Sequence, residues 1–434
     1  MASAAPSTAA LGAPVNGSAW VDRWLSSVAD LAELSRSNPM SDAVIDEIAG
    51  RRIRIGDTWL ADFASCNYLG FDLDPEIAAA IPAQIERWGT HPSWSRLLGS
   101  PAIYPEIEER LTELLGCEDT LVLPTITLIH LSVIPILAGG GAIFVDRRAH
   151  KTIYEGCQFA ATRGAHIHRF EHEDADDLEQ LLRKDRSKTR LICMDGVNSM
   201  TGNAPDLGAF AELARRYDAI LYVDDAHGFG VIGERGSDEL SPYGKRGNSI
   251  VRYFGESYDH IVFVAGLSKS YSSLAAFISC PPELKQLLKT AAPPYLYSGP
   301  SPVASLATVL AGLEVNEQRG DLLRADLWTK TDRVLRALDD LGVYTPNTSG
   351  FPIIEIPLAR HEDIDEVGRF LFASGIYVTL AAYPLVPRTE VGFRIQVTAA
   401  NTDAEIDELI ETLGRLAERF DLQPARLSEE DAAA

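Results

Sequence analysis

RLICMDGVNSMTGNAPDLGAFAELARRYDAILYVDD, residues 190–225, contains the plan of the fold. RLICMDG is a short apolar run, the length of a buried strand. LGAFAELARRYD spaces its apolar residues as one helical face does. AILYVDD is a second apolar run. Two apolar strands joined by an amphipathic helix form a crossover unit, and such units build parallel sheets covered on both faces. The pattern continues in both directions. IEERLTELLG reads as a helix stopped at Gly116, GAIFVD as a strand, and DADDLEQLLRKD as a helix with Asp174 as its N-cap. HIVFVAG is a further strand. Residues 110–280 therefore read as an α/β unit with a mostly parallel sheet.

Residues 121–145, LVLPTITLIHLSVIPILAGGGAIFV, could pass for a membrane span. A span needs about 20 unbroken apolar residues. Pro124, His130, Pro135 and a triple glycine interrupt this one, so it reads as strand, helix, glycine turn and strand. After residue 300 the pattern changes. A helix-rich segment over 301–342 leads into strand FPIIEIPL, helix HEDIDEVGRFLFASG, strands IYVTL and FRIQVT, and helix TDAEIDELIETLGRLAERF. The expected division is a leader and N-terminal arm (1–60), a large domain (61–300), a smaller C-terminal α+β domain (301–425) and a loose tail (426–434). The opening MASAAPSTAALGAPVNGS lacks the basic and apolar regions of a signal peptide and reads as disordered.

Composition narrows the function. Of 434 residues, 46% are hydrophobic, and 39 basic against 62 acidic side chains give a net charge of −23. Such a chain has no electrostatic reason to hold nucleic acid or an anionic membrane surface. Five scattered cysteines argue against a disulfide scaffold or a structural zinc site and for a reducing cytoplasm. GFGVIG (228–233) matches the glycine pattern of a dinucleotide site, but DDAH separates it from its strand and no helix pattern follows. His166, His168 and His172 alternate as strand residues and complete no metal set.

In open parallel sheets, ligands bind beyond the carboxyl ends of the strands. Those ends carry Asp195 with Ser199 nearby, Asp224 with Asp225 and His227, and Ser268 with Lys269. Pyridoxal phosphate needs such a set. A lysine amine takes its aldehyde as a Schiff base, and an aspartate keeps the pyridine nitrogen protonated so that the ring accepts electrons.

NYLG (67–70), SRLLGS (95–100), RRAHKTIYEG (147–156), GVNSMTG (196–202), VDDAHGFGVIG (223–233), LSKS (267–270), YLYSGPSP (295–302) and FRIQVTAAN (393–401) extend the pattern. In order and spacing the chain resembles the α-oxoamine synthases, fold type I pyridoxal-phosphate enzymes, from about residue 60 to 415. The resemblance implies a large domain with a mostly parallel seven-stranded sheet, a smaller C-terminal domain and a homodimer with shared active sites. It makes Lys269 the Schiff-base lysine and Asp224 the carboxylate on the pyridine nitrogen. His150 stacks on the ring, and His227 and Ser199 lie near its phenolic oxygen. Arg394 grips the amino-acid carboxylate, Asn67 lines the substrate site, and Ser298 reaches the partner subunit's phosphate. Asp225 reads as a second carboxylate with a local hydrogen-bonding role.

The chain departs from the family in four places. The glycine-containing phosphate turn is replaced by Pro124-Thr125-Ile126-Thr127, whose threonine hydroxyls are candidate substitutes. Gly266 stands where the family has Thr or Ser, with Ser268 as the substitute hydroxyl. The glycine-rich run after the lysine is SYSSLAAF, and Tyr104 replaces a histidine. The implied reaction is condensation, with decarboxylation, of an amino acid with an acyl thioester on coenzyme A or a carrier protein, giving an α-aminoketone. The alternatives are another fold type I reaction, such as transamination or aldol cleavage, or an inactive partner subunit. Arg147, Arg148 and Lys151 are either a docking point for an anionic carrier or a solvated turn.

Overall fold

A computed structural model describes residues 19–424; the expected leader and tail largely lie outside them. Its centre is a seven-stranded sheet in the order Thr120–Leu123, Ala276–Ser279, Ile261–Gly266, Ile220–Asp224, Arg190–Asp195, Ala142–Asp146 and His166–Phe170. All neighbours are parallel except Ala276–Ser279, which runs antiparallel to both of its own. That strand follows the lysine loop directly and escaped the sequence reading, because AAFIS is short and no helix precedes it.

Strand alternation sorts the core into two faces. Val122, Phe144, Ile192, Met194, Val223, Phe263 and Phe277 face one buried cluster. Leu123, Val145, Cys193, Tyr222, Val264 and Ile278 face the other, with Ile129 and Val133 of helix Ile126–Ala138 and Ile153 and Cys157 of helix Lys151–Ala161. These two helices touch through Gly156, where a Cβ would lie 2.6 Å from the His130 carbonyl oxygen. The segment read as a possible membrane span is thus strand, helix and strand inside the core. Among the described residues no helix is long and apolar enough to cross a membrane. Asp174 caps helix Ala175–Lys184 by accepting the Asp177 N–H, as expected.

The helix-rich stretch after residue 300 is one 38-residue helix, Val303–Asp340. Beyond it, Ile353–Pro357, Gly392–Gln396 and Thr379–Ala381 form an antiparallel three-stranded sheet. IYVTL, expected as one strand, divides. Ile376–Tyr377 pairs in parallel with Thr58–Asp62 of the N-terminal arm, and Thr379–Ala381 pairs with Gly392–Gln396. The arm is therefore not an appendage: its strands Glu47–Ala49, Arg52–Ile55 and Thr58–Asp62 share a sheet with a C-terminal strand. Arg52 pairs with Glu405 and Glu408 of the last helix, Asp403–Arg419, across the same junction.

Candidate active site

The pleat separates the two aspartates of VDDAH. Asp224 shares the face of Tyr222, toward helix Ile126–Ala138, and His130 on that helix reaches it. His130 Nε2 lies 2.9 Å from Asp224 Oδ2, and its Nδ1 lies 2.9 Å from the Tyr222 hydroxyl. Burial keeps the Tyr222 hydroxyl protonated. It therefore donates to Nδ1, leaving Nε2–H to donate to the carboxylate. The other oxygen, Oδ1, accepts the Ala226 N–H at 3.0 Å. Burial alone would raise the Asp224 pKa. The His130 hydrogen bond, with Lys269 and the Ala226 N–H, outweighs it and holds the carboxyl below the usual range. Asp225 points the other way, fully buried, and accepts the Ile250 N–H at 2.9 Å. Burial pushes it up to about 8. Its role is local, as expected.

Lys269 is half-buried in the loop after Ile261–Gly266. Burial lowers its pKa, and Asp224 is the largest opposing influence, followed by Cys66, while Asp195 opposes more weakly. The loop is held by the Ser272 N–H donating to the Lys269 carbonyl. Ser272 adopts φ 50°, a left-handed turn made here without glycine. Its hydroxyl donates to Asn67 Oδ1 at 3.0 Å, joining NYLG to the lysine loop.

His150 caps helix Lys151–Ala161 with its Nδ1 near Thr152. Its backbone N–H donates to Asp195 Oδ2 at 2.9 Å, so a strand-end carboxylate fixes the loop that carries it. His150 is partly open to solvent. The surrounding protein still disfavours its charged form and lowers its pKa, Lys269, His130 and Arg394 push the same way, and Asp224 opposes them. His227 is buried with Nδ1 2.7 Å from the Tyr68 hydroxyl. Burial, then Lys269 and Arg394, lowers its pKa well below the ordinary value, so it is neutral.

Thr125 caps helix Ile126–Ala138 through its hydroxyl, which accepts the Leu128 N–H. The first residue of this helix lies near the loop of Ser268: a Cβ on Gly266 would lie 3.6 Å from Ser268 Oγ and 3.7 Å from both Ala226 Cβ and Ile126 Cγ2. Gly266 thus opens a space between a helix N-terminus and a hydroxyl, the polarity an anion needs. Arg394 lies across the site on strand Gly392–Gln396. Its Nη1 donates to the Ser199 carbonyl and approaches Met200 Sδ at 3.7 Å. With its amide oxygen turned to the guanidinium, Gln396 accepts from Nε and Nη2 of Arg394 at 2.6 Å each.

The structure therefore brings Lys269, Asp224, His150, His227, Asn67, Arg394, Ser199, Ser268 and the Thr125-Ile126-Thr127 turn to one rim. Two residues lie elsewhere. Tyr104 is buried beneath the Arg96 guanidinium, and its hydroxyl accepts the Ser301 N–H at 2.7 Å. Ser298 is exposed and donates to the Pro294 carbonyl. Each of the three basic residues beside His150 has a carboxylate: Arg147 pairs with Glu171, Arg148 with Glu390 and Lys151 with Glu155. This favours the solvated turn over a carrier docking point. Residues after GFGVIG run as turns up to helix Ile250–Tyr253, and no group of potential metal ligands occurs among the described residues.

His130, Tyr68, Asp195 in its positioning role and Gln396 escaped the sequence reading. His130 had left one signal. It is the one ionisable residue in a mostly apolar helix, and a buried imidazole requires partners.

The donor set fits pyridoxal 5′-phosphate: an amine beside an ionised carboxylate, a helix N-terminus, and a space that a Cβ would begin to fill. Residues 60–413 match the family model of class I and II aminotransferases. The chain is 32% identical to 8-amino-7-oxononanoate synthase of Aromatoleum aromaticum, over 89% of this chain and 97% of that one. It is 30% identical to the same enzyme of Symbiobacterium thermophilum, over 83% and 89%. Its fold matches Sphingomonas wittichii serine palmitoyltransferase with a TM-score of 0.83 at 23% identity, covering 93% and 98%. The Francisella tularensis 8-amino-7-oxononanoate synthase matches with a TM-score of 0.68 at 21% identity, covering 83% and 98%.

Fold and site together define a fold type I enzyme whose cofactor is pyridoxal phosphate. Within that class the chain belongs to the α-oxoamine synthase family. It is an acyltransferase that condenses an amino acid with an acyl thioester, with decarboxylation, to give an aminoketone.

Proposed function

We propose that Lys269, Asp224, His150 and Arg394 carry this condensation, and that the thioester is borne by coenzyme A or by a carrier protein. The observation that carries the residue assignment is Asp224, kept ionised by two hydrogen bonds beside the lysine loop. Pyridoxal phosphate, when bound, supplies a covalent anchor for the amino group and a sink for the electrons released at the α-carbon.

Each side chain has a task. Lys269 Nζ is the attachment point and the base for the α-proton; its lowered pKa makes the free amine available nearer neutrality. Asp224 holds a proton on the pyridine nitrogen, and His130 keeps the carboxylate ionised to do so. His150 covers the ring. His227, with Tyr68 behind it, and Ser199 bond near the phenolic oxygen. The amides of Ile126 and Thr127, with the hydroxyls of Thr125, Thr127 and Ser268, hold the phosphate. Arg394, braced by Ser199 and Gln396, holds the substrate carboxylate, and a guanidinium suits that planar anion. Asn67 lines the same space.

The assembly is a homodimer in which Ser298 serves the partner's phosphate site. Trp94, Leu97, Leu98 and Tyr297 support this: all are exposed, Leu98 by 83% and Tyr297 by 82%. Their two loops are tied together by the Ser95 hydroxyl donating to the Leu296 carbonyl at 2.7 Å. Large apolar side chains clustered in water mark an interaction surface. The cellular site is the cytoplasm, consistent with five unpaired cysteines.

The test is the visible spectrum of the purified protein during titration with a panel of amino acids, followed by acyl thioester and measurement of released carbon dioxide. A cofactor band that one amino acid shifts, and that Lys269→Ala abolishes, is the expected result. A protein that takes up no pyridoxal phosphate, or a Lys269→Ala variant that turns over normally, overturns the reading.

A further inference from the structure

Beside Arg394 lies a carboxyl group that the reaction scheme above does not use. Glu355, on strand Ile353–Pro357, stands directly opposite Arg394 in the antiparallel register, and Thr379 stands opposite Arg394 on its other side. Residues opposed in this way share a face of the sheet, with Cβ atoms about 5 Å apart. Glu355 is only 1% exposed, and its Oε1 is a buried atom without a hydrogen-bond partner. A buried carboxyl next to a guanidinium ordinarily closes an ion pair. Here Arg394 instead binds the Ser199 carbonyl and the Gln396 amide oxygen, both neutral. The guanidinium therefore keeps its charge for an anion from outside, while its nearest cross-strand carboxyl stays uncommitted.

The charged neighbours explain how that state is held. Three face Glu355: Glu390 from the short turn Arg388–Glu390, Arg148 from the loop before His150, and Arg394 itself. Arg148 is engaged by Glu390. Burial, then the Glu390 charge, raises the Glu355 carboxyl to about 7, against the weaker pull of Arg148 and Arg394.

We propose that Glu355 is a positioning residue for the amino-acid substrate: neutral, it leaves Arg394 to the substrate carboxylate, and ionised, it competes for that arginine. This rests on the assignment of Arg394 to the carboxylate. The sign follows directly. Below neutrality Glu355 carries its proton and amino-acid binding is strongest. As pH rises through the Glu355 value, an anion appears opposite Arg394 and the substrate must displace it. The burden falls on KM for the amino acid and leaves kcat largely unchanged, because the competing contact is absent once substrate is bound.

The experiment compares wild-type holoenzyme with Glu355→Gln and Glu355→Ala. Amino-acid binding is read from the shift of the cofactor band, and KM and kcat are followed across the pH range. The ratio of wild-type to E355Q KM should rise roughly tenfold from about pH 6 to about pH 8.5, the scale of one charge-assisted hydrogen bond. E355Q and E355A, both without the ionisable group, should lack this rise. A carboxylic C=O infrared band that titrates near neutrality in the wild type should be missing from E355Q. If all three proteins bind amino acid with the same pH dependence, the role of Glu355 is overturned and the site assignment stands. If Arg394→Ala leaves amino-acid binding unchanged, the underlying assignment falls, and this proposal with it.

Discussion

Replacing His130 with phenylalanine tests the support of the cofactor's carboxylate. A flat aromatic ring is kept, slightly enlarged, but two hydrogen bonds go. Asp224 Oδ2 loses its donor and the Tyr222 hydroxyl its acceptor, both at 2.9 Å and both fully inside the protein. A buried polar group left unpaired costs about 1–3 kcal/mol, so the two together cost about 2–6 kcal/mol. The Asp224 share depends on pH. In the wild type its pKa is depressed, so its contribution is present above about pH 4 and is lost as pH falls through the folded value. Without His130, burial dominates and the pKa rises above the ordinary one. Ionised Asp224 then costs stability, and the deficit is greatest near neutrality. Thermal unfolding of wild type and His130→Phe at about pH 7 and about pH 4 should show a larger gap at the higher pH. Pyridoxal phosphate affinity should weaken about tenfold for every 1.4 kcal/mol lost at the pyridine nitrogen. An equal gap at both pH values would refute the argument, because a packing defect alone does not titrate.

Three further substitutions probe other parts of the site and its frame. Arg394→Lys keeps the charge and loses the planar fork, so KM for the amino acid should rise about tenfold or more while the cofactor spectrum stays unchanged. Gly266→Ser should be tolerated and should hold or improve cofactor affinity, since its Cβ meets nothing nearer than 3.6 Å and brings a hydroxyl beside Ser268 and the first residue of the helix; equilibrium titration with pyridoxal phosphate measures it. Arg324, fully buried on the long helix, donates to the Gly230 carbonyl at 3.0 Å and to Asn316 at 2.7 Å, and pairs with Asp321. Arg324→Ala should cost about 3–5 kcal/mol in unfolding experiments and loosen the loop after VDDAH.

Much of this enzyme follows from local sequence. The alternation of apolar runs and amphipathic helices over 110–280 encodes a parallel sheet, because each element must bury its own apolar stripe. The same logic places Asp224, His227 and Lys269 at strand ends. Asp174 as a helix cap also depends only on near neighbours.

What the sequence left open depends on contacts between distant segments. IYVTL carries strand propensity throughout, but its division between two sheets depends on where Thr58–Asp62 and Gly392–Gln396 offer free edges. His130 becomes a partner of Asp224 only because helix Ile126–Ala138 crosses the face to which the pleat turns that carboxylate. Glu355 and Arg394 are 39 positions apart and become neighbours through register alone. Which residue types stand at each strand end and helix start is written in local patterns, since periodicity and capping are short-range. Which of them meet is set by the packing of remote elements, because hydrogen bonds and pKa values depend on distance and burial.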